Sequence, residues 1–256
     1  MTIIKQQSLS QINRIKSDIS KVLIIHYSCE SFYDRPAGYS PRISSIAIKN
    51  FSSRQTHSFS IHRIAEFEKV SKDEIEEHYD TLERKMLDEF FIFIKNNKEN
   101  IYVHWNMRDE NYGFQAIYRR YKFLGGKPII ISENQLIDLS HTLINIYGSD
   151  YIGHPRIEKL IEKNKISKKN FLTGQQEADA FKDKEYNKLH LSTLYKVDLF
   201  ANILVKYFEG KLKTNNSSLL FKAKELRETP IFQVLEIIAA IGGVVGFIIL
   251  IINWLF

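Results

Sequence analysis

The sequence predicts an α/β domain, with an antiparallel run of strands followed by alternating helices and strands, joined to one C-terminal membrane-spanning helix. Three observations carry this. Short, alternating, β-branched runs come early, whereas apolar residues at helical spacing dominate later. The composition, 44% hydrophobic and 26% charged over 256 residues, suits a chain that buries a core and excludes wholesale disorder. Residues 231–256 are almost wholly apolar.

In order, residues 11–20 place Ile12, Ile15 and Ile19 on one helical face, and residues 22–25 form an apolar run suited to a buried strand. Residues 42–49 alternate around Ile43 and Ile46, and residues 56–61 repeat the alternation through Phe59 and Ile61. The short connections between these runs predict an antiparallel meander. Residues 73–95 carry Ile75, Tyr79, Leu82, Met86 and Phe90 at helical spacing, with Ser71 as the cap. A strand at 101–104, a helix at 112–121, a strand at 128–131 and helices at 135–147 and 156–164 are predicted next. After a polar, basic loop at 167–174, residues 191–207 resume a helix through Leu194, Phe200, Ile203 and Leu204. The expected organisation is a domain over residues 1–209, a linker over 210–229 and a membrane anchor over 230–256.

The lone cysteine, Cys29, excludes an internal disulfide framework and points to a reducing compartment. A net charge of +6 favours an anionic partner, nucleic acid or anionic lipid, although Lys and Arg are scattered. Residues 1–7 lack the apolar core and cleavage site of a secretory signal. The tail has an unbroken apolar stretch over 237–252 and Trp254 at an interfacial position, and about 20 mostly apolar residues cross a bilayer. Lys211, Lys213, Lys222, Lys224 and Arg227 precede it and nothing basic follows. That asymmetry predicts a single-pass tail anchor in the cell inner membrane with the N-terminal domain cytoplasmic. Gly242 and Gly246 have the spacing that lets two spans approach, a candidate dimerisation contact for a homo-oligomer. Glu236 reads as a boundary residue.

Several segments together resemble the DEDD-type 3'-5' exonucleases over residues 21–207. Ser28-Cys29-Glu30 stands where that family ends its first strand in Asp-x-Glu, keeping the glutamate and replacing the aspartate. His104, Asn106 and Asp109 match a His-Asn-x-x-Phe-Asp segment after a later strand, Asp138 matches a strand end leading into a helix, and Asp198 matches the last aspartate on the final helix. Thr193 stands at the family's His or Tyr position, with His190 and Tyr195 out of register. The resemblance implies a ribonuclease-H-like mixed sheet flanked by helices, and a nucleic acid or nucleotide as partner. It also implies a catalytic set of Glu30, Asp109, Asp198 and His104, with Glu30, Asp109 and Asp198 holding magnesium or manganese. In such sites two ions are held by oxygen ligands while a His or Tyr orients the attacking water.

With Ser28 and Thr193 the set lacks a carboxylate and a base, for which Asp34, Glu177, Asp179, Asp183 and His190 are substitutes to consider. Arg119, Arg120 and Lys122, interleaved with Tyr118, Tyr121 and Phe123, are candidate nucleic-acid contacts, or else a helix burying its aromatic side. Cys29 has no histidine fixed near it by sequence and does not read as a nucleophile. The leading expectation is a membrane-tethered exonuclease-like protein acting on or binding nucleic acid, as in a bacterial defence effector. The alternatives are an inactive nuclease-fold adaptor and a membrane-disrupting protein whose soluble domain gates its own tail.

Overall fold

Strand β1 (Val22–Cys29) is buried along its whole length. The computed structural model describes residues 2–31, 40–109 and 111–216. Strands β2 (Ile43–Asn50) and β3 (Thr56–Ser60) follow β1 as an antiparallel meander. Strands β4 (Ile101–His104) and β5 (Leu136–Asp138) run parallel to β1 and to β4 respectively. The resulting five-stranded mixed sheet has the order β3-β2-β1-β4-β5. Only β2 runs against the rest, so β1, β4 and β5 all end at the same edge.

Side chains alternate across the strands, and the alternation divides the core in two. Leu23, Ile25 and Tyr27 of β1 face one side, with Ile46 and Ile48 of β2. Against them pack α2 (Ile61–Phe67), α3 (Tyr79–Asn96) and α4 (Phe114–Phe123) through Ile64, Met86, Phe90 and Ile117. Val22 and Ile24 face the other side, where α1 (Ile3–Ser17), α5 (Leu139–Tyr147), α6 (Arg156–Lys163) and α8 (Tyr186–Phe208) supply Ile15, Leu143, Leu160, Phe200 and Leu204. A short helix, α7 (Gly174–Lys182), precedes α8 and buries only Ala180 and Phe181.

Several elements differ from the sequence-based expectation. The strand expected at 128–131 is absent: Ile130 is exposed, and the Ile131 amide donates to the Tyr118 hydroxyl rather than to a strand. β5 lies instead at Leu136–Asp138. Helices α2 and α7 were not anticipated. Ser71 caps a short 3-10 turn, Lys72–Glu74, in a capping box with Glu74, and α3 begins later at Tyr79. Residues 211–216 are docked on the domain: the Asn164 side chain bonds both backbone polar groups of Lys213, and the Asn215 amide donates to the Tyr151 carbonyl. The expected membrane span with Gly242 and Gly246, most of the expected linker, and Asp34 lie outside the described residues. Among the described residues no helix is long and apolar enough to cross a membrane.

Candidate functional site

At the edge where β1 and β4 end, a cavity of about 700 Å³ opens between the strand ends and the N-terminal turn of α7. Its lining includes His26, Ser28, Glu30, Trp105, Asp109, Tyr112, Glu177 and Lys196. Glu30 and Asp109, far apart in sequence, thus share one cavity. Asp109 sits in a tight turn, its Oδ1 accepting from the Asn111 amide at 2.7 Å while its own amide donates to the Tyr112 carbonyl. Gly113 permits this turn, because a Cβ there would lie 2.6 Å from the Met107 carbonyl carbon. Glu30, only 3% exposed, accepts from the Arg42 amide at 2.9 Å and from Arg42 Nε at 3.2 Å.

Asp198 is not at this site. Its carboxylate is exposed and pairs with Lys49 Nζ at 2.8 Å. Lys49 lies opposite Ile24 of β1, whereas Ser28 lies opposite Ser45, so the pair sits about 13 Å back along the sheet at the usual rise per strand residue. The α8 residue that meets Ser28 is Thr193, with hydroxyl oxygens 2.7 Å apart. His104 faces a different cavity of about 310 Å³ with Arg108 and Asp138. Burial holds its imidazole well below the usual range, and its Nδ1 accepts from the Met107 amide. Asp138 caps α5, accepting from the Ser140 and His141 amides.

The substitutes separate similarly. His190 is turned toward β2 and β3, 2.8 Å from Ser45 Oγ and 3.5 Å from Ser58 Oγ. Burial, with His62 and Arg63 nearby, pushes it down to about 4. Asp179 is held by Gln175, and Asp183 caps the end of α7. The Tyr195 hydroxyl donates to the Ser167 carbonyl. Among the described substitutes, Glu177 alone lines the cavity. Its Oε1 receives Lys196 Nζ at 2.7 Å, Ser192 Oγ at 2.9 Å and Ser28 Oγ at 3.1 Å. A hydroxyl carries one proton, so Ser28 donates to Glu177 only when Thr193 donates to Ser28 instead of to the Leu189 carbonyl, which lies 2.9 Å from its oxygen.

Among the expected nucleic-acid contacts, Arg120 is corrected by its surroundings. It is 4% exposed and bound to Glu83 at 2.6 Å and to Asp80, so its guanidinium is unavailable to a phosphate. Arg119 is half-buried and Lys122 exposed. Cys29 is buried, and burial, with Glu177 and Glu30 adding to it, pushes its thiol well up, as expected of a structural rather than a nucleophilic cysteine.

Lys196, Ser192 and His26 were not singled out by sequence, although each left a signal. Lys196 falls on the buried face of α8, three residues after Thr193 and four before Phe200, where a lysine is out of place unless paired. His26 interrupts the apolar run of β1. Its Nδ1 lies 3.4 Å from the Tyr112 hydroxyl, which donates to the Tyr27 carbonyl at 3.1 Å. Nε2 is buried with no hydrogen-bond partner among the described residues. Burial, reinforced by Lys196, holds the ring well below its ordinary pKa and therefore neutral.

Among the described residues, the set that the resemblance implies for two metal ions is not assembled. The expected third carboxylate points elsewhere, hydroxyls occupy the Ser28 and Thr193 positions, and an ammonium already neutralises Glu177. Among the described residues no three His, Cys, Asp or Glu side chains are grouped to hold a metal ion. No family model, curated protein or solved structure matches the chain.

Proposed function

We propose that this chain is a membrane-tethered binding module on a ribonuclease-H-like scaffold, which holds a nucleotide or a nucleic-acid end at the cytoplasmic face without two-metal hydrolysis. The scaffold reading is supported by the strand order β3-β2-β1-β4-β5 with β2 alone reversed. The observation that carries the non-catalytic reading is Lys196 Nζ, 2.7 Å from Glu177 and beside the Ser28–Thr193 contact. A fixed ammonium supplies positive charge where the resemblance implies metal ions, so it attracts a phosphate without generating a hydroxide nucleophile. The cavity volume is in the range of small-ligand sites. Trp105, stacked on Phe200 at 5.5 Å, gives it a rigid aromatic wall suited to a base.

A second reading, a metal-dependent 3'-5' exonuclease, is favoured by Glu30 and Asp109 lining one cavity. One experiment separates the two. The full chain in detergent is incubated with end-labelled single-stranded DNA and RNA, with magnesium or manganese, alongside Glu30→Gln and Asp109→Asn. The binding module retains substrate in a gel shift and leaves it intact. Degradation that disappears in both variants would establish the exonuclease instead.

A further inference from the structure

We infer that Ser28, Ser192 and Lys196 form an oxyanion seat for a phosphomonoester, held shut by the chain's own Glu177, so that ligand entry displaces the N-terminal turn of α7. Three donors converge on one oxygen, Glu177 Oε1, at 2.7, 2.9 and 3.1 Å. They come from β1 and from adjacent turns of α8, whereas the acceptor comes from a separate short helix. The donors therefore sit on the sheet and on the helix packed against it, and the acceptor on a short helix that precedes that one.

Lys196 is 5% exposed, and a buried ammonium is tolerated only with an anion beside it. Glu177 supplies that anion as an internal substitute. A phosphomonoester carries about −1.5 to −2 charges at pH 7 and three strong acceptor oxygens, against one charge on a carboxylate, so it competes for the same donors.

The second observation is independent. His26 lines the same cavity, and its Nε2 is buried and unpartnered among the described residues. With Tyr112 donating to Tyr27, the Tyr112 oxygen accepts the Nδ1 proton of His26, which leaves Nε2 as a lone-pair acceptor. A ligand that satisfies it brings an O–H or N–H beside its phosphate. A sugar hydroxyl next to a phosphate meets both demands, which makes a nucleoside or sugar monophosphate the ligand class.

The fold permits the displacement. The buried contacts of α7 are in its C-terminal half, where Phe181 packs on Tyr79 and Tyr186 at 5.8 Å. At its start, a Cβ on Gly174 would meet nothing within 4 Å. The first turn can swing out while Phe181 stays seated.

The seat deepens the binding-module reading and rests on it for the organic part of the ligand. The test is calorimetric titration of the full chain in detergent with inorganic phosphate, a nucleoside 5'-monophosphate and a short oligonucleotide, using wild type, Glu177→Gln and Lys196→Met. Removing the competing charge tightens phosphate binding about tenfold in Glu177→Gln, and losing the ammonium weakens it at least about tenfold in Lys196→Met, the scale of one charge-assisted hydrogen bond. In wild type, saturating phosphate accelerates amide hydrogen exchange over residues 174–178, a readout that needs no variant to fold. Equal phosphate affinity in all three proteins, no phosphate binding in any, or unchanged exchange in α7 overturns the seat. Oligonucleotide binding with equal phosphate affinity in all three leaves the binding module standing without it. Phosphate binding that follows the variants, with no oligonucleotide or nucleotide bound, keeps the seat and overturns the module.

Discussion

Two buried carboxylate–cation pairs lie on opposite faces of the sheet. Glu83 and Arg120 bridge α3 and α4 with side chains 0% and 5% exposed, and Glu83 also accepts from the Ile43 amide at 2.7 Å. Glu177 and Lys196, at 13% and 6% exposed, lie against a cavity. The first pair is sealed and fastens two helices to β2. The second adjoins space that a ligand can fill, with a neighbouring histidine lacking a partner. Breaking the first changes stability, whereas breaking the second changes what is bound.

The largest effect is expected from Arg120→Met, which strands Glu83 in the core and costs about 3–5 kcal/mol, the usual range for losing one partner of a buried pair. Burial pushes the Glu83 carboxyl up to about 7 even beside Arg120, so protonation relieves the variant and urea melts show a smaller deficit at pH 5 than at pH 8. An equal deficit at both would show that charge burial is not its origin.

The next effect tests burial without an ion pair. His190, pushed down to about 4 by burial, is neutral in the fold and charged in the unfolded chain between pH 4 and its ordinary pKa of 6.5. A depressed folded pKa gives stability that is present above the unfolded pKa and lost as pH falls. His190 alone accounts for roughly 3 kcal/mol of that loss. His26, His62 and His104 are shifted the same way, against the opposite trend of Glu83. Stability therefore falls from pH 6.5 toward 4, and less steeply in His190→Gln; identical slopes in denaturant titrations would refute this.

Lys196→Met comes third, at about 1–2 kcal/mol, because Glu177 can turn toward water in the cavity. A cost matching that of Arg120→Met would erase the contrast between the pairs. The smallest effect is expected at exposed Lys122, where Lys122→Glu shifts stability by less than about 0.5 kcal/mol and leaves oligonucleotide retention unchanged in a gel shift. Loss of retention would move the interface from the cavity to α4.

The early strands were legible in the sequence, β1 as an apolar run buried on both faces and β2 and β3 by alternation, where one residue of slip would turn a face the wrong way. Pro128 to Ile131 looked like a strand by apolarity alone, yet Pro128 has no amide to donate and the Tyr118 hydroxyl takes that of Ile131. The motif match at Asp138 located β5 better than hydropathy did, since a capping aspartate marks a strand-to-helix junction. Helix α7 was missed because its only buried residues are Ala180 and Phe181, too few for a visible period. Of the three carboxylates that motif order pointed to, Glu30 and Asp109 line one cavity and Asp198 lies away from it, paired with Lys49. Five residues after Thr193 is about 140° around a helix, which turns its carboxylate from Ser28 to Lys49.

The clasp between Glu30 and Arg42 sets how far the chain can vary nearby. Backbone and side-chain bonds fix these two residues to each other at the mouth of the β1–β2 connection, so strand register does not depend on how many residues lie between them. Doubling the length of such a connection costs only about 0.6 kcal/mol in closure entropy. The connection can therefore change in length through insertions and deletions while the sheet stays as it is.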